Sequence, residues 1–475
     1  MALRKVPLCM LCGTLLLAGC RSIPPLRLTE LCPIHRSESR DYGEENHSFS
    51  ELRSTTRSIV DVVGKIDLDL AMLVEIGFEN NPETRRMWQL VRATAAERNR
   101  TQSIFFPNVT LSSAVDWRQI KNTQLPDGKQ EFHRVTFTYP SLQLSYVLFT
   151  FSGNFVNAQA AQENLLAANF SYNRSLQELL FSIQRSYFAL SSAIASVEAA
   201  EENLRDATET LRLSEERLRI GLGDRQTYLQ AKTGQLQSEH ALAAACAEME
   251  CKRAALATAI GVRVTHDFRI IPSQLPQDLS ELSGNVEEVI SQAILRRPDL
   301  LAAHAKVRAL QCKEKAAQRV RLPQLFLNLC GGFSEIRHGG GVDGEFATSI
   351  NLSWNIFDGF AAHHKVREAH AQKRAAAEDL RREELRVAGE IWTYYHSFQC
   401  AHRRVLAARE WVTSAAESFR ATELSYRNGL SSFMDLLNAQ NVLATARQNR
   451  VAAENDFSVT LAGLANAAGS MEAIQ

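Results

Sequence analysis

Between Asn154 and Ile220 the chain contains no glycine and no proline. These residues most readily end a helix, and their absence over that span predicts one continuous helix. At about 1.5 Å per residue such a helix runs on the order of 100 Å, against a mean helix of about 11–12 residues. A rod of that length cannot close a core on itself and needs a partner of similar length. Leu204, Leu211 and Leu218 recur at heptad-like spacing with Glu and Arg between them, the stripe of a coiled coil. Gly221-Leu222-Gly223 breaks the pattern, and 224–260 reads as a second helix returning beside the first.

The chain is written twice. Asn81-Pro82-Glu83 reappears as Arg297-Pro298-Asp299, 216 positions later, and each opens an Ala- and charge-rich helical stretch, 83–102 and 299–319. Each stretch closes on a proline before strand-like sequence, at Phe106-Pro107-Asn108 and Leu322-Pro323-Gln324. Asp127-Gly128 precedes Asp343-Gly344 by the same 216. The offset then shortens to 206 between Gly153 and Gly359 and is 208 between Gly221-Leu222 and Gly429-Leu430. Landmarks in one order with a drifting offset mark a duplication with loop insertions. The second copy repeats the long helix over roughly 360–428, the break at Gly429, and a final helix over 432–468. Each copy therefore reads as short helix, hairpin, long helix, break, helix.

The hairpins alternate. Val109, Leu111, Val115 and Trp117 share one parity, as do Val135, Phe137 and Tyr139 and, past Pro140, Leu142, Leu144, Tyr146 and Leu148. In the second copy Leu325, Leu327 and Leu329 precede Ile350, Leu352, Trp354 and Ile356, which alternate with Ser349, Asn351, Ser353 and Asn355. This period of two, with Asp-Gly turns, predicts two hairpins, apolar on one face and polar on the other. Trp117, Phe132, Phe137, Tyr139, Tyr146, Phe149, Phe151, Trp354 and Phe357 cluster there, as in the aromatic girdles of membrane barrels. Four strands are too few to close a transmembrane barrel, and an open edge in lipid leaves backbone groups unpaired, so other copies of the chain must complete it.

The chain's 53 basic and 53 acidic residues cancel, which excludes a strongly basic nucleic-acid binder. At the N-terminus Arg4 and Lys5 precede a short apolar run, 8–17, of the signal-peptide kind. Leu17-Ala18-Gly19-Cys20 resembles a bacterial lipobox, so residues 1–19 are expected to be removed and Cys20 to carry fatty acyl chains of the palmitate type. By the same resemblance Arg21 favours outer-membrane sorting. Residues 20–65, rich in Ser, Arg and Glu, are expected to form a lipidated tether. The first repeat then spans 66–262, a linker 263–285, the second repeat 286–469 and a short tail 470–475. Cys32, Cys246, Cys251, Cys312, Cys330 and Cys400 are scattered without metal-type spacing and read as packing or surface residues.

No HExxH, P-loop, GxSxG or strand-linked GxGxxG is present. Gly339-Gly340-Gly341 falls between two strands and reads as a hairpin loop. His363, His364 and His370 open a long helix without acidic partners at ligand spacing, so they read as a solvated face. No enzyme, metal or cofactor is expected.

Two repeats of helix, proline, hairpin, Phe-x-Gly, long helix, Gly-Leu break and helix resemble the TolC-like outer-membrane efflux family in its lipid-anchored branch. The most specific strings are Leu295-Arg296-Arg297-Pro298-Asp299-Leu300, Trp354-Asn355-Ile356-Phe357-Asp358-Gly359, Tyr426-Arg427-Asn428-Gly429-Leu430 and Asp435-Leu436-Leu437-Asn438-Ala439-Gln440. The resemblance implies a mainly α fold with a small β part, with long antiparallel coiled-coil helices forming a periplasmic α-barrel. It implies a homotrimer whose twelve strands close one β-barrel in the outer membrane. It also implies a passive exit duct docked by a periplasmic adaptor and an inner-membrane transporter. The family narrows at its periplasmic end to a ring of carboxylates, and the matching positions are Asp435 and Asn438, with Tyr426 as the aromatic of the closing latch. Asn438 replaces a second Asp and Ser431 a family Arg. Gly221, Leu222, Gly429 and Leu430 match the tips where adaptor hairpins pack. The rival readings are an outer-membrane coiled-coil scaffold lipoprotein without channel activity and a porin-type channel working without a pump.

Overall fold

The computed structural model describes residues 67–122, 131–151, 153–265, 268–273, 286–337 and 342–469. The leader, Cys20, Cys32, the 20–65 tether, Asp127-Gly128, the Gly339-Gly340-Gly341 loop, most of the 263–285 linker and the 470–475 tail lie outside the described residues. In the first repeat, helices α1 (Leu70–Asn80) and α2 (Pro82–Gln102) precede strands β1 (Asn108–Asn122) and β2 (Glu131–Phe149), then helices α3 (Gly153–Arg219) and α4 (Arg225–Ala259). The second repeats the order with α5 (Val286–Arg296), α6 (Pro298–Arg319), β3 (Gln324–Arg337), β4 (Val342–Ser353), α7 (Ala361–Arg427) and α8 (Phe433–Ala468). The long helices α3 and α7 are 67 residues each.

Two short helices stand where sequence suggested one. The extra pair, α1 and α5, are 11 residues each, too short for a periodic signal to stand out. A single residue separates each from the proline that starts the next helix. Asn81 is that residue in the first repeat, and its side chain accepts from the Glu83 N–H at 2.8 Å. Proline at the first helical position gives up an amide that no helix would use.

The repeats close on themselves in the same way. The Asn81 side-chain amide donates to the Ala259 carbonyl at 2.9 Å, and Arg297, its counterpart, donates to the Ala467 carbonyl at 2.9 Å. Two residues past each carbonyl a glycine turns left-handed, Gly261 at φ 74° and Gly469 at φ 78°. A Cβ on Gly261 would meet the Asn80 carbonyl oxygen at 2.9 Å, and one on Gly469 would meet the Arg297 side chain at 3.2 Å. The first repeat's core joins Leu73, Ile183, Tyr187, Leu190, Leu256 and Ile260. Phe268 and Ile270 of the inter-repeat segment also pack there. The second core joins Ala293, Leu300, Val387, Ile391 and Ala467.

The strands form one antiparallel sheet in the order β1-β2-β3-β4, leaving β1 and β4 at its edges. Its register sorts chemistry by face. Leu111 lies opposite Leu142, Val109 and Leu329 both opposite Leu144, Leu327 opposite Ile350, and Leu325 opposite Leu352. On the other face Ser112 lies opposite Ser141, Gln143 opposite Cys330, and Asn328 opposite Ser349. The Ser112 and Ser141 hydroxyls are 2.9 Å apart. Strand β2 runs straight through Pro140, and Gly332 on β3 sits so close that a Cβ would meet the Pro140 carbonyl oxygen at 2.9 Å.

Candidate functional site

At one end of the long helices both repeats make the same turn. The Leu222 N–H donates to the Arg217 carbonyl at 2.9 Å and Gly221 N–H to Leu218 at 3.1 Å. In the second repeat Leu430 N–H reaches Ser425 at 2.8 Å and Gly429 N–H reaches Tyr426 at 3.0 Å. Gly221 and Gly429 take φ 79° and 77°, so each helix ends in a Schellman motif with glycine at the left-handed position. These motifs leave Leu222 and Leu430 as exposed apolar knobs, 69% and 82% accessible.

The next helices begin at once, and the two repeats cap them with the same groups in opposite places. In α8 the Ser432 hydroxyl accepts from the Asp435 N–H at 3.2 Å. The Asp435 carboxylate in return accepts from the Ser432 N–H at 3.0 Å and its hydroxyl at 2.7 Å, a capping box. In α4 the N-cap is Asp224, whose carboxylate accepts from the Thr227 N–H at 2.8 Å. The 208 offset carries Asp224 onto Ser432 and Thr227 onto Asp435. Each tip thus presents one exposed carboxylate. Hydrogen bonds from Ser432 hold Asp435 below the usual carboxylate range, and those from Thr227 do the same for Asp224. Asp224 was not picked out from sequence, although the offset applied to the cap positions would have found it. Asn438 is exposed one turn beyond Asp435.

Tyr426 is buried at 5% accessibility. Its ring lies 6.0 Å from that of Phe433. The Arg217 guanidinium sits 4.7 Å above it and donates to the Tyr426 backbone carbonyl at 2.7 Å. Arg427 donates to Glu209 at 3.0 Å. The two helical hairpins of one chain are therefore tied at their tips by two arginines, neither of which was given a role from sequence. Ser431 donates to the Thr422 carbonyl at 3.3 Å.

His363, His364 and His370 are all exposed, but His370 has an acidic partner that spacing does not show: its Nδ1 lies 2.7 Å from Glu314, which α6 supplies from 56 residues away. Lys373 pairs with the other oxygen at 2.7 Å, and these two partners hold the Glu314 carboxyl below its usual range. Among the described residues no group of three or more His, Cys, Asp or Glu is placed to hold a metal ion. Cys246, Cys251, Cys330 and Cys400 are exposed free thiols, and Cys312 is buried and free.

At the opposite end the strands meet the helices through exposed aromatic pairs. Phe149 and Phe151 stand edge to face at 4.7 Å, and Phe357 and Phe360 at 5.6 Å. The Trp354 indole N–H donates to the Arg321 carbonyl at 3.1 Å. Leu111, Phe346, Ile350 and Leu352 are between 64% and 77% accessible on the apolar face of the sheet. A sheet apolar on one face, polar on the other and bordered by aromatics where it meets the helices is the pattern of a strand set between lipid and water. Among the described residues no helix is long and apolar enough to cross a membrane.

A family profile described as outer membrane efflux protein matches residues 74–262 and 289–470. Protein CyaE of Bordetella pertussis is 23% identical over 409 residues, covering 85% of each chain. The solved outer-membrane channel OprN superposes with a TM-score of 0.75 at 22% identity, over 84% of this chain and 90% of that one. The outer membrane protein VceC of Vibrio cholerae gives 0.73 at 19% identity, over 84% and 96%.

Proposed function

Because the chain belongs to the outer membrane efflux protein family, we propose that it is the passive exit duct of a tripartite export system. It is an outer-membrane protein of the TolC-like fold, with its helical body in the periplasm. The observation that carries the finer reading is the sheet. One face is apolar, the other polar, and both outer edges, β1 and β4, lack a partner among the described residues. Unpaired edges in hydrocarbon are costly, and three chains joining edge to edge supply twelve strands and remove them. The helices then enclose a tunnel continuous with the barrel. A periplasmic adaptor docks at the tips, where Gly221 and Gly429 shape the turns and Leu222 and Leu430 offer apolar knobs, and an inner-membrane transporter supplies the work. Asp435 and Asn438 line the constriction, and Tyr426 with Arg217 braces it. A passive duct needs neither a catalytic residue nor a cofactor.

The test is native mass spectrometry of the detergent-purified protein followed by planar-bilayer recording. Three chains per particle and discrete conductance steps are expected. A monomer that stays soluble without detergent, or a trimer that conducts nothing, returns the scaffold reading.

Cys20 is proposed to bear the lipid. Each buried CH₂ of an acyl chain contributes about 0.8 kcal/mol to membrane binding. Mass spectrometry of the mature N-terminus is expected to show an acylated cysteine followed by Arg21. An unmodified N-terminal peptide would remove the anchor and leave the barrel as the only membrane attachment.

A further inference from the structure

The duplication supplies a template for a contact that one chain cannot show. Within the chain α3 packs against α4 on one side and α8 on the other. At the α3–α8 junction Asn203 and Asp206 accept from Arg447 at 2.6 and 2.7 Å, Thr210 donates to Gln440 at 3.3 Å, and Arg174 donates to Asn466 at 3.4 Å. Among the described residues α4 packs against α3, and α7 against α8 and the short helices α5 and α6. Their outward stripes are exposed: Leu229 at 49% and Leu236 at 52% on α4, Trp392 at 53% and Trp411 at 43% on α7. In a ring built from repeats, α7 of one chain meets α4 of the next as α3 meets α8. Adding 208 carries α3 onto α7, and subtracting it carries α8 onto α4.

Applied to the exposed thiols, the rule brings two together. Cys400 on α7 corresponds to Ser192 on α3, and Cys251 on α4 corresponds to Val459 on α8. Ser192 lies 11 residues before Asn203, and Val459 lies 12 after Arg447. Counted from the Asn203–Arg447 contact, this places them at one level of an antiparallel pair. Ser192 is also 18 residues from both Arg174 and Thr210, near a whole number of turns, so it sits on the stripe that faces α8. Val459 lies seven before Asn466, on the stripe that Arg174 reaches. Both are half-buried, whereas Cys251 and Cys400 are exposed. Measured from the tips, Cys251 is 30 residues beyond Gly221 and Cys400 is 29 before Gly429, about 45 Å along each helix.

We propose that Cys251 of one chain and Cys400 of its neighbour face each other across the protomer boundary and form a disulfide. Three such bonds make the helical ring a covalent trimer well above its tips. The inference rests on the trimeric reading. The bond forms by exchange with an external disulfide, of a protein or of glutathione. A Cys251 or Cys400 thiolate attacks it, one thiol leaves, and the second cysteine displaces the other. The S–S bond gained is matched by the S–S bond lost, and two thiols are released. The periplasm is a compartment where such bonds persist.

The experiment treats purified full-length protein with oxidised glutathione and compares it with Cys251→Ser and Cys400→Ser on non-reducing denaturing gels. Native mass spectrometry runs alongside. Covalent dimer and trimer bands are expected that dithiothreitol removes, that both variants lack, and that yield a peptide pair joining Cys251 to Cys400. If native mass spectrometry shows a trimer while both thiols stay alkylatable after oxidation, the pairing is wrong and the trimer stands. A cross-link that survives in either variant also overturns it. A monomer in native mass spectrometry overturns the trimer itself.

Discussion

Arg297→Ala is expected to cost the folded protein about 3–5 kcal/mol, the usual range for breaking a buried ion pair. The side chain is fully buried. Its guanidinium donates to both oxygens of Asp299 at 3.1 and 2.6 Å, to Glu390 at 3.0 Å and to the Ala467 carbonyl at 2.9 Å. These acceptors lie on α6, α7 and α8, so one residue fastens three helices. Arg386 still reaches Asp299 and Glu390 at 3.0 and 3.3 Å, which holds the loss to that range. Lysine is not expected to rescue, because a point charge cannot serve three spread acceptors as a planar fork does. The internal comparison is Asn81→Ala, which removes the equivalent but neutral link to Ala259 together with the α2 cap on the Glu83 N–H, and should cost about 2 kcal/mol. Denaturant unfolding followed by circular dichroism would decide, and equal losses in the two variants would contradict the argument. Burial alone would raise the Asp299 carboxyl, but Arg297 overrides it and holds the group below its ordinary range. Its contribution to stability is therefore complete above about pH 4 and is lost only as acidification passes through the lowered folded value.

Asp435→Asn is expected to abolish most divalent-cation block of the channel while leaving the helix start intact. Each carboxylate meeting a cation at about 4 Å contributes about 1 kcal/mol per unit charge even at the dielectric of water. Neutralising a ring of three should therefore weaken block by tenfold or more, since about 1.4 kcal/mol is a factor of ten. The capping box complicates the alanine variant, because Asp435 also satisfies Ser432 at 2.7 Å. Asparagine keeps an acceptor for that bond and removes only the charge. Ser432→Ala does the reverse and removes the cap, at about 1 kcal/mol. Planar-bilayer recordings with divalent cations on the periplasmic side separate the two roles. If block follows Ser432→Ala rather than Asp435→Asn, the carboxylate serves the helix and the constriction lies elsewhere. Asp224 provides a second negative group at the other repeat's tip, so Asp224→Asn should reduce whatever block survives.

The long elements were legible because their punctuation is sparse and duplicated. Gly221 and Gly429 end α3 and α7, and Pro107 and Pro323 separate helix from strand. The alternation of Ile350, Leu352 and their polar neighbours gave the two-faced sheet. What escaped is what depends on distant partners. No local signal ties Arg217 to Tyr426 across 209 residues or Glu314 to His370 across 56. Helices α1 and α5 were hidden by their brevity. Arg297-Pro298-Asp299 was read as a landmark and proved to be a clamp, because its charges are buried only once α7 and α8 arrive. Asp435 lies in the first turn of α8, and its capping bonds to Ser432 were not legible, since the same spacing falls on Thr227 in the first repeat.

The open edges of β1 and β4 bear on inheritance as well as on assembly. If one barrel needs three chains, a chain that folds but cannot offer one edge is worse than a missing chain, because it enters rings it cannot close. In a cell expressing normal and edge-blocked copies, intact barrels fall with the cube of the normal fraction. A proline placed within β4 should therefore be genetically dominant over the wild-type allele, whereas a deletion should be recessive.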